Sequence, residues 1–298
     1  MYTRILIPLD GSKTAEKVLP CAYSLSRCLN LPVELLSVIP IAAMASHITA
    51  ERARYLDAVI GEQEDRSRLY LENIARDFPG SAVKCAVIRG NPAEAIIETA
   101  AVDKGTLITM ATHGRSGIKR WLLGSVAEKV LRGTPNAALL VRAHDEIDTE
   151  KKIDSITVPL DGSELAESVI PIVITIAKLM NLEVVLFRAY ELPASAYYGN
   201  EDYLPNYEEL KAQVKIEVQS YLNKQIEELK SHGIENASLF ITEGAGPEEI
   251  ISYAHERPNT LIAMCTHGRS GVRRWVLGSV TEKVVRHSGD AVLVMRAP

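Results

Sequence analysis

Cysteine is scarce: Cys21, Cys28, Cys85 and Cys265 are the only four in 298 residues, and they form neither a C-x-x-C pair nor a His-flanked metal spacing. No metal site is read from them, and a reducing, cytoplasmic compartment is expected. Long apolar runs are missing too. The longest, Val169 to Ala177, is interrupted by Pro171 and Thr175 and falls far short of a bilayer span. There is no basic excess, since 33 Lys and Arg stand against 38 Asp and Glu for a net charge of −5. That removes the electrostatic footprint of a non-specific nucleic-acid binder. The start, MYTRILIPLDGS, enters a strand-like run without a signal-peptide pattern, so neither secretion nor membrane insertion is expected. Two well-known nucleotide signatures are also lacking. No G-x-x-x-x-G-K-[ST] loop occurs and no G-x-G-x-x-G follows the first strand, which argues against a P-loop NTPase and a Rossmann dehydrogenase.

What is present has globular proportions, with 47% hydrophobic and 24% charged residues. The length predicts two domains of roughly 150 residues. The chain then proves to be one unit written twice. IPLDGS at 7–12 returns as VPLDGS at 158–163, an offset of 151. ATHGRSGIKRWLLGSVAEKVLR at 111–132 returns as CTHGRSGVRRWVLGSVTEKVVR at 265–286, with 16 of 22 positions identical. NAALLVRA at 136–143 answers DAVLVMRA at 290–297. The polar stretch 144–152 between the copies predicts domains over 1–146 and 152–298.

Each unit alternates strand and helix signals. In the first, strands are expected at 4–9, 32–39, 82–88, 105–111 and 136–142. Helices are expected at about 13–29, 53–78, from Pro92 onward, and 125–132. The second unit repeats the order. The fold class is therefore α/β: two tandem doubly wound domains, each a five-stranded parallel sheet with helices on both faces. Ligands of such sheets bind beyond the carboxyl ends of the strands. The loop after strand one and the loop after strand four should meet there, and these are also the best-repeated segments.

The fourth loop carries Gly114, Arg115, Gly117, Lys119, Arg120, Gly124 and Ser125, matched by Gly268, Arg269, Gly271, Arg273, Arg274, Gly278 and Ser279. Glycines admit close backbone approach, successive amides make an anion-binding concavity, and a helix start adds free N–H groups. The set suits a polyphosphate. The loop after strand one carries Asp10 and Ser12, matched by Asp161 and Ser163, and a carboxylate there suits ribose hydroxyls. Plainer roles stay open beside these. Ser125-x-x-Glu128 and Ser279-x-x-Glu282 read as capping boxes, and each Asp-Gly pair also fits a simple turn. His113 and His267 lack an acid partner nearby in sequence and read as packing residues rather than general bases. Trp121 and Trp275 read as anchors of the loop. Cys21 and Cys28, seven apart, read as buried small hydrophobes. The connection after strand two is Tyr-rich in the second unit only (Tyr197, Tyr198, Tyr203, Tyr207), fitting a lid, a partner surface or a packed loop.

With these motifs in view, the chain resembles a tandem universal stress protein, each half being similar to one domain of that family. The resemblance rests on I/V-P-L-D-G-S near each start and T-H-G-R-S-G…L-G-S-V-x-E-K-V near each end. It implies binding of ATP, with or without Mg, through a G-x2-G-x9-G-[ST] pattern after the fourth strand. Gly114 and Gly268 match the second glycine, and Gly124-Ser125 and Gly278-Ser279 match the end. Ala111 and Cys265 stand at the first glycine, and Ala111, the smaller, ranks the first unit above the second as a nucleotide site. The resemblance also implies an adenine held by backbone near Val38 and Ala189. It implies pairing through the last strand of each unit, either within the chain as a pseudo-dimer or between chains as a homodimer. The expected role is that of a nucleotide-dependent sensor or adaptor with unidentified protein partners and at most slow ATP hydrolysis. A nucleotide hydrolase or transferase and a scaffold without nucleotide remain the alternatives.

Overall fold

The computed structural model describes residues 2–42, 56–112, 123–142, 153–192, 207–266 and 277–296. The chain divides into two compact units whose main segments are Met1–Glu150 and Lys151–Arg273.

In the first unit, β1 (Arg4–Pro8) is a short apolar run whose Ile5, Leu6 and Ile7 are fully buried. It pairs in parallel with β2 (Val33–Ile39) and β4 (Thr106–Ala111). β3 (Val83–Arg89) pairs with β2, and β5 (Ala137–Val141) with β4, all in parallel. The order is β3-β2-β1-β4-β5. The second unit repeats it with β6 (Ser155–Pro159), β7 (Glu183–Tyr190), β8 (Ala237–Glu243), β9 (Thr260–Cys265) and β10 (Ala291–Met295) in the order β8-β7-β6-β9-β10. The order reverses at β1 and at β6. Right-handed crossovers then place helices on opposite faces of each sheet. The expected α/β doubly wound class is what the chain adopts.

The helices follow local chemistry. In the first unit they are α1 (Lys13–Glu16), α2 (Leu19–Leu29), α3 (Leu56–Ala75), α4 (Pro92–Ala101) and α5 (Ser125–Gly133). In the second they are α6 (Glu164–Glu167), α7 (Ile170–Met180), α8 (Tyr207–Ser231), α9 (Gly246–Glu256) and α10 (Ser279–His287). The single helix expected over 13–29 is divided into α1 and α2. Pro20 lacks an N–H and its ring crowds the carbonyl of residue 16, so one continuous helix cannot form. Instead Pro20 sits in the first turn of a new helix, where its missing donor costs nothing. Asn30 ends α2 in the left-handed region at φ 49°, and Asn181 ends α7 at φ 53°. Asn91 caps α4, its Oδ1 accepting from the amide of Ala93 at 3.0 Å.

Candidate functional site at the strand ends

Register decides what can meet. Arg4 lies opposite Thr106 and Leu6 opposite Ile108. Continuing that register brings Asp10 level with Thr112, just past the ends of both strands. In the second unit Thr157 lies opposite Ile262, which brings Asp161 level with Thr266. The two loops that the repeat preserves thus leave each sheet side by side.

The first loop is built alike in both units. Gly11 and Gly162 adopt φ of 80° and 82°, which costs an L side chain steric strain. Asp10 Oδ1 accepts from the amide and the hydroxyl of Ser12 at 3.0 and 2.6 Å. Asp161 Oδ1 does the same for Ser163 at 3.0 and 2.5 Å. Ser12 and Ser163 in turn cap α1 and α6, accepting from Ala15 and Ala166 amides at 3.1 and 3.2 Å. Each aspartate therefore orients its loop through its Oδ1.

The second loop is pinched at its base. The Gly124 amide donates to the Thr112 carbonyl at 2.8 Å, and the Gly278 amide to that of Thr266 at 2.8 Å. These bonds bring the start of α5 back beside the end of β4, and the start of α10 beside β9. Thr112 and Thr266, both buried, are site-building residues that the sequence reading passed over. Their place at the head of the repeated T-H-G-R-S-G motif, next to Ala111 and Cys265, is the signal that marks them.

The capping boxes expected at Ser125 and Ser279 do not form. Gly124 and Gly278 are the N-caps, with extended ψ of 144° and 143° and no side-chain cap bond, so the serines are already helical. The glutamates then fall one position too late to reach back, and bond forward instead. Glu128 accepts from Arg132 Nε at 3.2 Å and Glu282 from Arg286 Nη2 at 2.9 Å. A helix start with a glycine cap leaves first-turn amides without a side-chain acceptor and with the positive end of the dipole.

The two units differ at one corner. Ala111 is buried at the end of β4, opposite Val141. Its counterpart Cys265 lies 3.0 Å from Ser168 Oγ, and its carbonyl accepts from Thr281 Oγ1 at 2.9 Å. Burial pushes the Cys265 thiol up, the Ser168 contact pulls it back, and the carboxylate of Asp161 pushes it up further. That electrostatic reach places Asp161 and Cys265 in one neighbourhood. Val38 and Ala189, both half-buried, sit near the carboxyl ends of β2 and β7, opposite Ile88 and Thr242. Gly114, Arg115, Gly117, Lys119, Arg120, His113 and Trp121 lie outside the described residues. So do Gly268, Arg269, Gly271, Arg273, Arg274, His267, Trp275 and the Tyr-rich segment up to 206. No helix of the described residues is long and apolar enough to cross a membrane.

Comparison with known proteins settles the family. The sequence model of the universal stress protein family matches residues 1–142 and again 152–296. The chain belongs to the universal stress protein family. It carries two domains of that family in tandem. Universal stress protein MJ0531 of Methanocaldococcus jannaschii is 30% identical over 142 residues, which are 48% of this chain and 83% of that protein. Universal stress protein Mb2028c of Mycobacterium bovis is 18% identical over 299 residues, 98% of this chain and 96% of that protein. The crystal structure of a universal stress protein from Archaeoglobus fulgidus superimposes with TM-score 0.70 at 22% identity, covering 99% of this chain and 98% of that one. This last likeness speaks for the fold.

Proposed function

We propose that the chain binds an adenine nucleotide, ATP by preference, at the strand ends of its domains and serves as a sensor or adaptor in a stress response. The observation that carries the reading is the arrangement shared by both units. An aspartate-bearing loop leaves beside a glycine-capped helix start held by a 2.8 Å backbone bond. The free first-turn amides of α5 and α10 suit phosphate oxygens. The carboxylates of Asp10 and Asp161 suit the ribose, and Val38 and Ala189 offer backbone groups to the base. Gly114, Arg115, Gly117, Gly268, Arg269 and Gly271 supply the phosphate-side loop in this reading. Among the described residues no group of three His, Cys, Asp or Glu side chains could hold a metal ion. In this reading magnesium arrives on the phosphates. The first domain, 1–146, is proposed as the better site, because Ala111 leaves room that the bonded Cys265 fills in the second, 152–298. Pairing through β5 and β10, within one chain or between chains, is proposed to carry the signal to cytoplasmic partners.

The test is to denature freshly purified protein and identify released nucleotide by chromatography and mass. One or two adenine nucleotides per chain, lowered by Gly124→Asp and Gly278→Asp, are expected. No nucleotide, together with no rise in melting temperature in millimolar Mg-ATP, ADP or cAMP, overturns the reading. Turnover above about 1 s⁻¹ that Asp10→Ala abolishes would instead make the chain an enzyme.

A further inference from the structure

Beyond the ends of β7 and β8 the second unit carries a polar pair where the first is apolar. Val38 lies opposite Ile88 in the first unit, and its counterpart Ala189 lies opposite Thr242 in the second. Residues opposite one another in paired strands share a face of the sheet, so Thr242 stands beside Ala189. That face is covered by α9. Phe187 and Phe240, two residues back on each strand, both pack against Tyr253 of that helix, with ring centroids 5.3 and 4.5 Å away. Ile88 and Ala95 of the first unit correspond to Thr242 and Glu249, so a hydroxyl and a carboxylate replace two apolar side chains.

The carboxylate is held in place. The Thr242 hydroxyl donates to Glu249 Oε2 at 2.8 Å. Oε1 has no hydrogen-bond partner among the described residues and is not sealed from water. Gly244 makes the room for it: a Cβ there would collide with Oε1 and would lie 2.8 Å from the carboxyl carbon. The Gly244 amide donates to the Tyr190 carbonyl at 2.9 Å, which pins this backbone to the end of β7, next to Ala189. In the first unit Gly90 makes the same bond to Ile39 at 3.0 Å and has the same φ of 149°, yet a Cβ on it would meet nothing within 4 Å. One backbone frame thus holds a carboxylate in the second unit and open space in the first.

We infer that the second unit takes a guanine nucleotide where the first takes an adenine nucleotide, and that Glu249 selects the base. The inference rests on the nucleotide reading above, with Ala189 beside the base. Guanine carries two neighbouring donors, N1–H and the 2-amino group, and one carboxylate accepts both in parallel. Adenine has an N1 lone pair on the same edge, which a fixed carboxylate repels. A site built around a charged acceptor rejects the base that leaves it unpaired. Thr242 is a positioning residue: it holds Oε2 and leaves Oε1 to the base. The first unit offers Ile88 and Ala95 at this place, so the backbone at Val38 reads adenine there without a charged competitor.

The experiment is equilibrium titration of nucleotide-free full chains with Mg-ATP and Mg-GTP, using two single-site variants. Gly124→Asp closes the first site and reports the second, and Gly278→Asp does the reverse. The Gly124→Asp chain should bind GTP about tenfold or more tightly than ATP, the scale of a hydrogen bond to a charged group. The Gly278→Asp chain should prefer ATP. Adding Glu249→Gln to Gly124→Asp keeps the side chain's shape and an acceptor for Thr242, so the melting temperature should hold while the GTP preference disappears. Ile88→Thr with Ala95→Glu should carry a GTP preference into the Gly278→Asp chain. A Gly124→Asp chain that binds both equally, prefers ATP, or keeps its preference with Glu249→Gln overturns the proposal and leaves the nucleotide reading standing. So does a transplant that leaves the base preference unchanged, or absence of GTP binding by the Gly124→Asp chain while the Gly278→Asp chain binds ATP. No triphosphate bound by either chain overturns both.

Discussion

Arg4→Met should destabilise the first domain by about 3 kcal/mol and leave the second untouched. Glu34 sits near the start of β2, where its side chain is only 6% exposed. Its charge is met from two sides: Arg4 Nη1 bonds Oε2, and Lys84 Nζ lies 2.8 Å from Oε1. Arg4 also donates to the Thr99 carbonyl at 2.5 Å and to Thr106 Oγ1 at 2.9 Å, so three elements are tied to one guanidinium. Breaking a buried pair by removing one partner costs about 3–5 kcal/mol, because the other charge stays behind. Lys84 is 72% exposed and still partners Glu34, which argues for the lower end of that range. With about 2–4 °C of melting temperature per kcal/mol for a domain of this size, the shift is about 6–12 °C. Native-state hydrogen exchange read by peptide keeps the domains apart: protection should fall across β1 and β2 and not across β6 and β7. Arg4→Met combined with Glu34→Leu should regain most of the loss, because the apolar pair leaves no charge uncompensated. Loss below about 1 kcal/mol in the single variant, or no recovery in the double, would refute the reasoning.

Burial pushes the Cys21 thiol from its ordinary 9.0 up to about 12. Above pH 9 the unfolded chain therefore releases a proton that the folded one keeps. This contribution is full below pH 9 and is lost as pH rises toward 12, at up to about 1.4 kcal/mol per unit. Urea titrations of parent and Cys21→Val between pH 8 and 10.5 should diverge with that sign, and parallel curves would refute the placement of the thiol. Gly11→Ala and Gly162→Ala force a side chain into φ near +80° and should each cost about 1–2 kcal/mol of domain stability. Either change should also lower the nucleotide content of the purified protein. Unchanged melting curves would show that the Asp-Gly turn is built otherwise.

Much of the architecture was readable because its signals are local. Short apolar runs closed by Asp-Gly or Pro mark the strands, Pro92 marks the start of α4, and the repeat counts the domains. The sequence reading failed where one residue of register mattered. Ser125 carries the spacing of a capping box, yet Gly124 takes the cap, because the backbone bond from its amide to Thr112 fixes where the helix begins. It failed again at 13–29, where helical periodicity continues through Pro20 although the hydrogen-bond ladder cannot.

By itself the sequence determined that this is a duplicated α/β chain of the universal stress protein family and which two loops face each other. Those follow from periodicity, repetition and the handedness of β–α–β connections. Only the tertiary structure decided how Glu34 is neutralised, what Cys265 touches, and that Gln225 Oε1 is a buried, unbonded acceptor. Each depends on side chains separated by 30 to 97 residues in sequence. Burial and hydrogen-bond satisfaction are properties of the packed neighbourhood, and no stretch of chain carries them alone.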